Sequence, residues 1–215
     1  MSIVDGWMPD VLHVPTAAHG HPAVPTGQMW PKQIVHHVMQ GYQNTMIQWA
    51  NQRPPVVKAS AHFTVNRAGQ IIQHVPIWEP AWHVAYKDWN VHSVGIEQEG
   101  FSIAAPLGAY AYSPENPWPE PLIQAVIRIN LWVMDAIRIY DQTVVPGPDT
   151  IITHALTGQP DRIHDPGQLW MDTVLPRILA AFPPQPDPEY LRGVRDGTNA
   201  TLNRFQDLVN EMRAA

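Results

Sequence analysis

A chain of 215 residues accommodates one domain of ordinary size plus an appendage. Apolar residues make up 45% and charged residues only 15%, which excludes a disordered chain and a coiled coil. Thirteen basic against nineteen acidic residues leave a net charge of −6 with no Lys/Arg cluster, which argues against nucleic acid as a partner. Cysteine is absent, so disulfides and thiolate metal sites are excluded and any metal must sit on His, Asp or Glu. The start, Met1-Ser2-Ile3-Val4-Asp5, has neither a basic region nor an apolar core, which predicts no signal peptide. No apolar run reaches the roughly 20 residues of a membrane span.

Residues 1–32 carry Pro9, Pro15, Pro22, Pro25 and Pro31 with His13, His19 and His21, and read as an ordered arm rather than a domain. Residues 33–38 (QIVHHV) predict a strand, and 43–52 a helix that ends before Pro54-Pro55. Residues 61–67 and 71–76 alternate apolar and polar, with a hairpin turn over Arg67-Ala68-Gly69-Gln70. Residues 81–85 and 93–99 are further predicted strands. A loop rich in Pro, Tyr and Ala spans 102–119, and Pro121 opens a helix over 120–140 with Ile123, Ile127, Leu131 and Met134 on one face. Residues 150–155 predict a last strand, and 168–182 a helix broken or kinked at Pro176. Pro183 to Pro188 is a stiff linker by composition, followed by an amphipathic helix over 189–213. Strands mixed with helices, one hairpin among them, predict a mixed α/β fold: a central sheet of five to six strands flanked by helices. The implied organisation is an arm over 1–32, a catalytic domain over 33–182, and a linker with a C-terminal helix over 183–215.

Three positions form a candidate metal set. His36 ends one apolar strand, His154 ends another, and Asp165 follows in Arg162-Ile163-His164-Asp165-Pro166-Gly167. Two imidazoles and a carboxylate are the ligand number of catalytic zinc, which keeps a fourth position open. Eleven histidines make chance pairs easy to find, so the set alone is weak.

The wider pattern is more specific. Ile34-Val35-His36-His37, Ser60-Ala61-His62-Phe63, Ala81-Trp82-His83, Ser93-Val94-Gly95-Ile96-Glu97, Thr153-His154 and Asp165-Pro166-Gly167 follow in that order. Together they resemble the zinc-dependent N-acetylmuramoyl-L-alanine amidases of the type-2 amidase superfamily, which includes phage endolysins and is related to peptidoglycan recognition proteins. The resemblance covers about residues 33–182. It implies zinc on His36, His154 and Asp165, Glu97 as general base, and a peptidoglycan or muropeptide substrate cut between N-acetylmuramic acid and L-alanine. It also implies a phage lysin, made in the host cytoplasm and acting on the cell wall after release. A cytoplasmic amidase that recycles muropeptides and a non-catalytic peptidoglycan-binding module are the alternatives.

One position departs from the family. The Lys that commonly stands two residues before the Asp ligand, and helps hold the oxyanion, is Ile163 here. The segment between His154 and Asp165 is also one residue longer than in close relatives. The role is expected to pass to a neighbour, His164 ahead of Arg162. His62, Trp82, His83 and Arg162 are candidates for lining the substrate cleft. His37 alternates with His36 and is expected to face away from the site in a structural role.

Overall fold

The computed structural model describes residues 5–21, 24–25, 27–52, 59–102 and 111–184, the side chains of 49–52 excepted. The helix expected over 189–213 lies outside the described residues. Met1–Phe182 forms one compact unit, and the chain divides after Phe182.

Six strands make one mixed sheet: β1 (Leu12–His13), β2 (Gln33–Val38), β3 (Phe63–Val65), β4 (Ile71–Gln73), β5 (Ser93–Gln98) and β6 (Ile151–Thr153), in the order β1-β4-β3-β5-β2-β6. Only β3 and β4 pair antiparallel, joined by the turn that Gly69 permits at φ +83°. The other neighbours are parallel. Beside β2, Val35 aligns with Gly95 and Ile152, and His37 aligns with Glu97.

Alternation along the strands separates two faces. Ile34, His36 and Val38 with Val94 and Ile96 look toward α3 (Glu120–Tyr140), whose Leu122, Val126, Ile129 and Val133 complete the main core. Val35 and Ile152 look the other way, where Val84 covers a small apolar patch. Beyond that patch the second face is polar and carries His37 and Glu97. The buried stripe of α3 is rotated from the expected one: Ile123 and Met134 are buried, while Ile127 and Leu131 lie half-buried on its flank.

Helix α1 (Gln43–Gln52) matches its expected span. The single helix expected over 168–182 is two, α4 (Gln168–Thr173) and α5 (Leu175–Ala181), because Pro176 has no N–H to continue a helix and instead stands in the first turn of α5. Residues 81–85 are not a strand; only Ala81 bridges, to His19. Short α2 (Lys87–Asn90) follows that segment, and 3-10 turns over His154–Thr157 and Pro160–Arg162 lie between β6 and Asp165.

The arm packs into the same unit. Met8 and Met29 are core residues, and β1 extends the sheet beyond β4. The buried Gln73 side chain ties the two together: its Oε1 accepts from Met8 N (2.7 Å) and its Nε2 donates to Gly6 O (2.8 Å).

Candidate active site

The parallel strands β2, β5 and β6 end together, and their C-terminal ends open on a cleft of about 500 Å³. Glu97, His83, His154, Arg162 and Asp165 are among its lining residues. The end of β6 delivers His154, and the two 3-10 turns bring the chain back so that Asp165 meets it. His154 Nδ1 lies 2.9 Å from Asp165 Oδ2.

The third member of this group is His37, which corrects the expectation of His36. His37 Nδ1 is 2.9 Å from His154 Nδ1 and 3.7 Å from Asp165 Oδ2. One ligand atom each from His37, His154 and Asp165 all fall within 4.8 Å of one another. All three side chains are buried. Two imidazole nitrogens this close can share only one proton, and a carboxylate oxygen beside them adds negative charge. Such a donor set suits a cation, and two N and one O are the ligands a catalytic zinc takes. Asp165 Oδ1 is already engaged by Val38 N–H at 2.6 Å, and Oδ2 is the oxygen that faces the two imidazoles.

His36 is on the other face of β2. Its Nε2 meets Asn130 Oδ1 at 3.2 Å, and its ring lies 4.5 Å from that of Trp170. Asn130 donates its amide N–H to Val126 O at 2.8 Å, so its oxygen accepts from His36. Burial lowers the His36 pKa to about 3, and the ring is a neutral core group. The sequence offered one sign of this: Asn130 stands among Val126, Ile129 and Val133 on the core side of α3, and a buried amide needs a polar partner.

Glu97 lies beside His37 on the adjacent strand, on the same face, and lines the cleft. Its Oε2 is enclosed and unpaired among the described residues. Burial, reinforced by the negative charge of Asp165 and partly offset by Arg162, raises its pKa to about 8. For Asp165 burial works upward, but the adjoining His154 and His37 rings and the Val38 N–H outweigh it and hold the carboxyl below its usual range.

The other expected residues divide. Trp82 and His83 line the cleft. His83 also takes up His37 from behind, its Nδ1 3.0 Å from His37 Nε2. This placement needs Gly95, because a Cβ there would occupy the His83 ring. His62 is not a cleft residue: it is fully buried, with Nδ1 accepting from Gly95 N–H (2.9 Å) and Nε2 donating to Glu79 O (2.9 Å). Arg162 lines the cleft, whereas His164 is exposed outside its lining and Ile163 is 63% exposed. The His164 backbone carbonyl accepts from Ser102 Oγ at 2.5 Å. Gln159, which the sequence did not single out, holds His154 from outside, with Oε1 2.9 Å from Nε2.

A family model described as N-acetylmuramoyl-L-alanine amidase matches residues 27–168. Among solved structures, AmpD as its selenomethionine derivative is similar at 20% identity and TM-score 0.58, over 83% of this chain and 99% of that one. A mutant of PlyL is similar at 14% identity and TM-score 0.53, over 80% and 97%. AmiD from E. coli, solved in complex with anhydro-N-acetylmuramic acid-L-Ala-D-gamma-Glu-L-Lys, is similar at 22% identity and TM-score 0.51, over 74% and 62%. A search of curated proteins finds no significant match. The structural likenesses agree on the fold, and the family match spans both histidines, Glu97 and Asp165: the chain belongs to the N-acetylmuramoyl-L-alanine amidase family and is a peptidoglycan amidase.

Proposed function

We propose that this amidase is zinc-dependent, that His37, His154 and Asp165 hold the ion, and that it cuts the amide joining N-acetylmuramic acid to L-alanine. The observation that carries this is the convergence of His37 Nδ1, His154 Nδ1 and Asp165 Oδ2 at a cleft that His154, Asp165 and Glu97 line. Zinc, when bound, supplies Lewis-acid polarisation of a carbonyl and acidifies water.

The chain's own residues do the rest. Glu97 stands at the cleft wall, and its ionised carboxylate takes a proton from the attacking water and passes it to the departing amine nitrogen. Arg162 replaces the family Lys: it is the cleft cation, and its charge already acts on Glu97 and His37. Its guanidinium opposes the negative charge that develops on the carbonyl oxygen. Trp82 offers an apolar wall to the substrate.

The biological setting follows the resemblance to phage endolysins: a lysin that reaches the wall after release from the cytoplasm. The test uses the zinc-loaded protein on intact sacculi and, separately, on an anhydro-muramoyl peptide of the kind bound in AmiD. Mass spectrometry should find free stem peptides beginning with L-alanine, with solubilised sacculi. Cleavage at another bond would refute the amidase assignment. Cleavage of the soluble muropeptide with sacculi untouched would replace the lysin by a recycling enzyme.

A further inference from the structure

We infer that Gln159 is a positioning residue that sets the proton on His154, so that the Nδ1 lone pair faces the metal site. This rests on the zinc reading of the cleft.

The orientation of the Gln159 amide is fixed from two sides. Its Nε2 donates to the Asp161 carboxylate at 2.9 Å, which can only accept. Its Oε1 accepts from Ala85 N–H at 3.2 Å, which can only donate. The same Oε1 stands 2.9 Å from His154 Nε2. That nitrogen must therefore carry the proton, and a neutral imidazole with Nε2–H leaves Nδ1 as the lone-pair atom. Nδ1 is the atom that faces His37 Nδ1 and Asp165 Oδ2.

His37 shows the same device with a different partner. His83 Nε2 lies by two atoms of Ser93, the carbonyl at 3.4 Å and the hydroxyl at 3.3 Å. The hydroxyl hydrogen is occupied, because Ser93 Oγ donates to Trp89 O at 2.6 Å. His83 Nε2 therefore carries a proton, and its Nδ1 accepts from His37 Nε2–H at 3.0 Å. Both ligand histidines are thus presented in one tautomer by acceptors behind them. Partners of this kind orient metal-bound imidazoles and raise their basicity.

Gln159 stands in the segment between His154 and Asp165, immediately before the Pro160–Arg162 turn. The same turn carries Arg162 into the cleft. By bonding Ala85 as well, Gln159 staples this segment to the chain that follows His83. The turn thus carries a ligand-orienting amide at one end and a cleft cation at the other.

The test compares the full chain with Gln159→Leu, which keeps the bulk and removes the acceptor, and with Gln159→Glu/Asp161→Asn, which restores an acceptor. Ring nitrogen shifts of His154 in the metal-free protein report the tautomer, and competition with a chelator reports zinc affinity. Gln159→Leu should populate the Nδ1–H form and weaken zinc binding about 10- to 100-fold. The double variant should return both toward the parent. An unchanged tautomer and unchanged affinity in Gln159→Leu overturn the positioning role alone. A parent protein that takes up no zinc overturns the metal reading beneath it. If Gln159→Leu loses its fold, the double variant still decides: Nε2–H with parental affinity supports the role, and a shifted tautomer refutes it.

Discussion

Adjacent histidines on one strand have opposite fates here, and period-2 alternation is the reason. His36 enters a core lined by Trp170 and Asn130, while His37 turns to His154 and Asp165. The sequence pattern QIVHHV shows that one histidine faces each way but not which way is inward, because both faces of β2 are buried. His37→Ala should abolish zinc uptake and amide hydrolysis, while His36→Gln should keep both and lose stability. Removing the His36 partner altogether, as in His36→Leu, should cost about 1–3 kcal/mol by leaving Asn130 Oδ1 buried without a donor. Metal content by mass spectrometry and urea unfolding separate the two sites. The same residue scale decides the oxyanion partner. Arg162→Ala should lower kcat by about 10²–10³ with zinc retained, and His164→Ala should be nearly silent. The opposite ranking would restore His164 to the role that sequence spacing suggested. Glu97→Gln should keep zinc and lose about 10²–10⁴ in kcat, read from amide release at saturating substrate.

At the scale of elements, the strands that alternate cleanly and the helices with Pro at their first turn were legible, because local sterics decide them. The segment 81–85 was not. Its consecutive residues Trp82 to Ala85 all line the cleft, and its main chain is held by loop partners such as Ser60. The sheet imposes a further consequence through the histidines on its two faces. His36 and His62 are both lowered to about 3 by burial, from an ordinary value near 6.5. Each is neutral when folded and binds a proton when unfolded below pH 6.5, so its stabilising share is present above that pH and lost as pH falls. The loss is about 1.4 kcal/mol per pH unit for each group. Glu97 acts in the opposite sense: its raised pKa makes stability fall as pH rises from 4.5 to about 8. For the metal-free protein, urea unfolding between pH 6.5 and 4.5 should therefore show a net acid loss. It should be shallower in His36→Gln and steeper in Glu97→Gln. Parallel lines for all three proteins would show that these groups do not titrate differently on unfolding.

On the scale of the whole molecule, composition reads residues 1–32 as an arm, whereas packing makes them part of the catalytic unit. Prolines hid this, since they suppress the periodicity by which a strand or helix is recognised. The arm contributes Met8 and Met29 to the core and covers β4, which would otherwise be a sheet edge. Val14 N–H donates to Gln73 O (2.9 Å) and Thr16 N–H to His74 O (3.1 Å), continuing the pairing past β1. The Gln73 side chain makes the dependence sharp. It is fully buried, and removing residues 1–32 takes away the Met8 N–H and Gly6 carbonyl that satisfy its amide, leaving Val75 O as the remaining partner. An unsatisfied buried polar group costs about 1–3 kcal/mol, and the loss of two core methionines adds about 2–5 kcal/mol each by analogy with truncation to Ala. Set against a typical total of about 5–15 kcal/mol, these losses are enough to unfold the remainder. A chain beginning at Gln33 should therefore show no cooperative thermal transition and should associate through its bare β4 edge, as size-exclusion chromatography would reveal. In the untruncated chain, Gln73→Leu should lose stability because Met8 N–H and Gly6 O are left without their partner. If the truncated chain melted cooperatively near the parent temperature, the catalytic domain would begin at β2 and the arm would be an accessory after all.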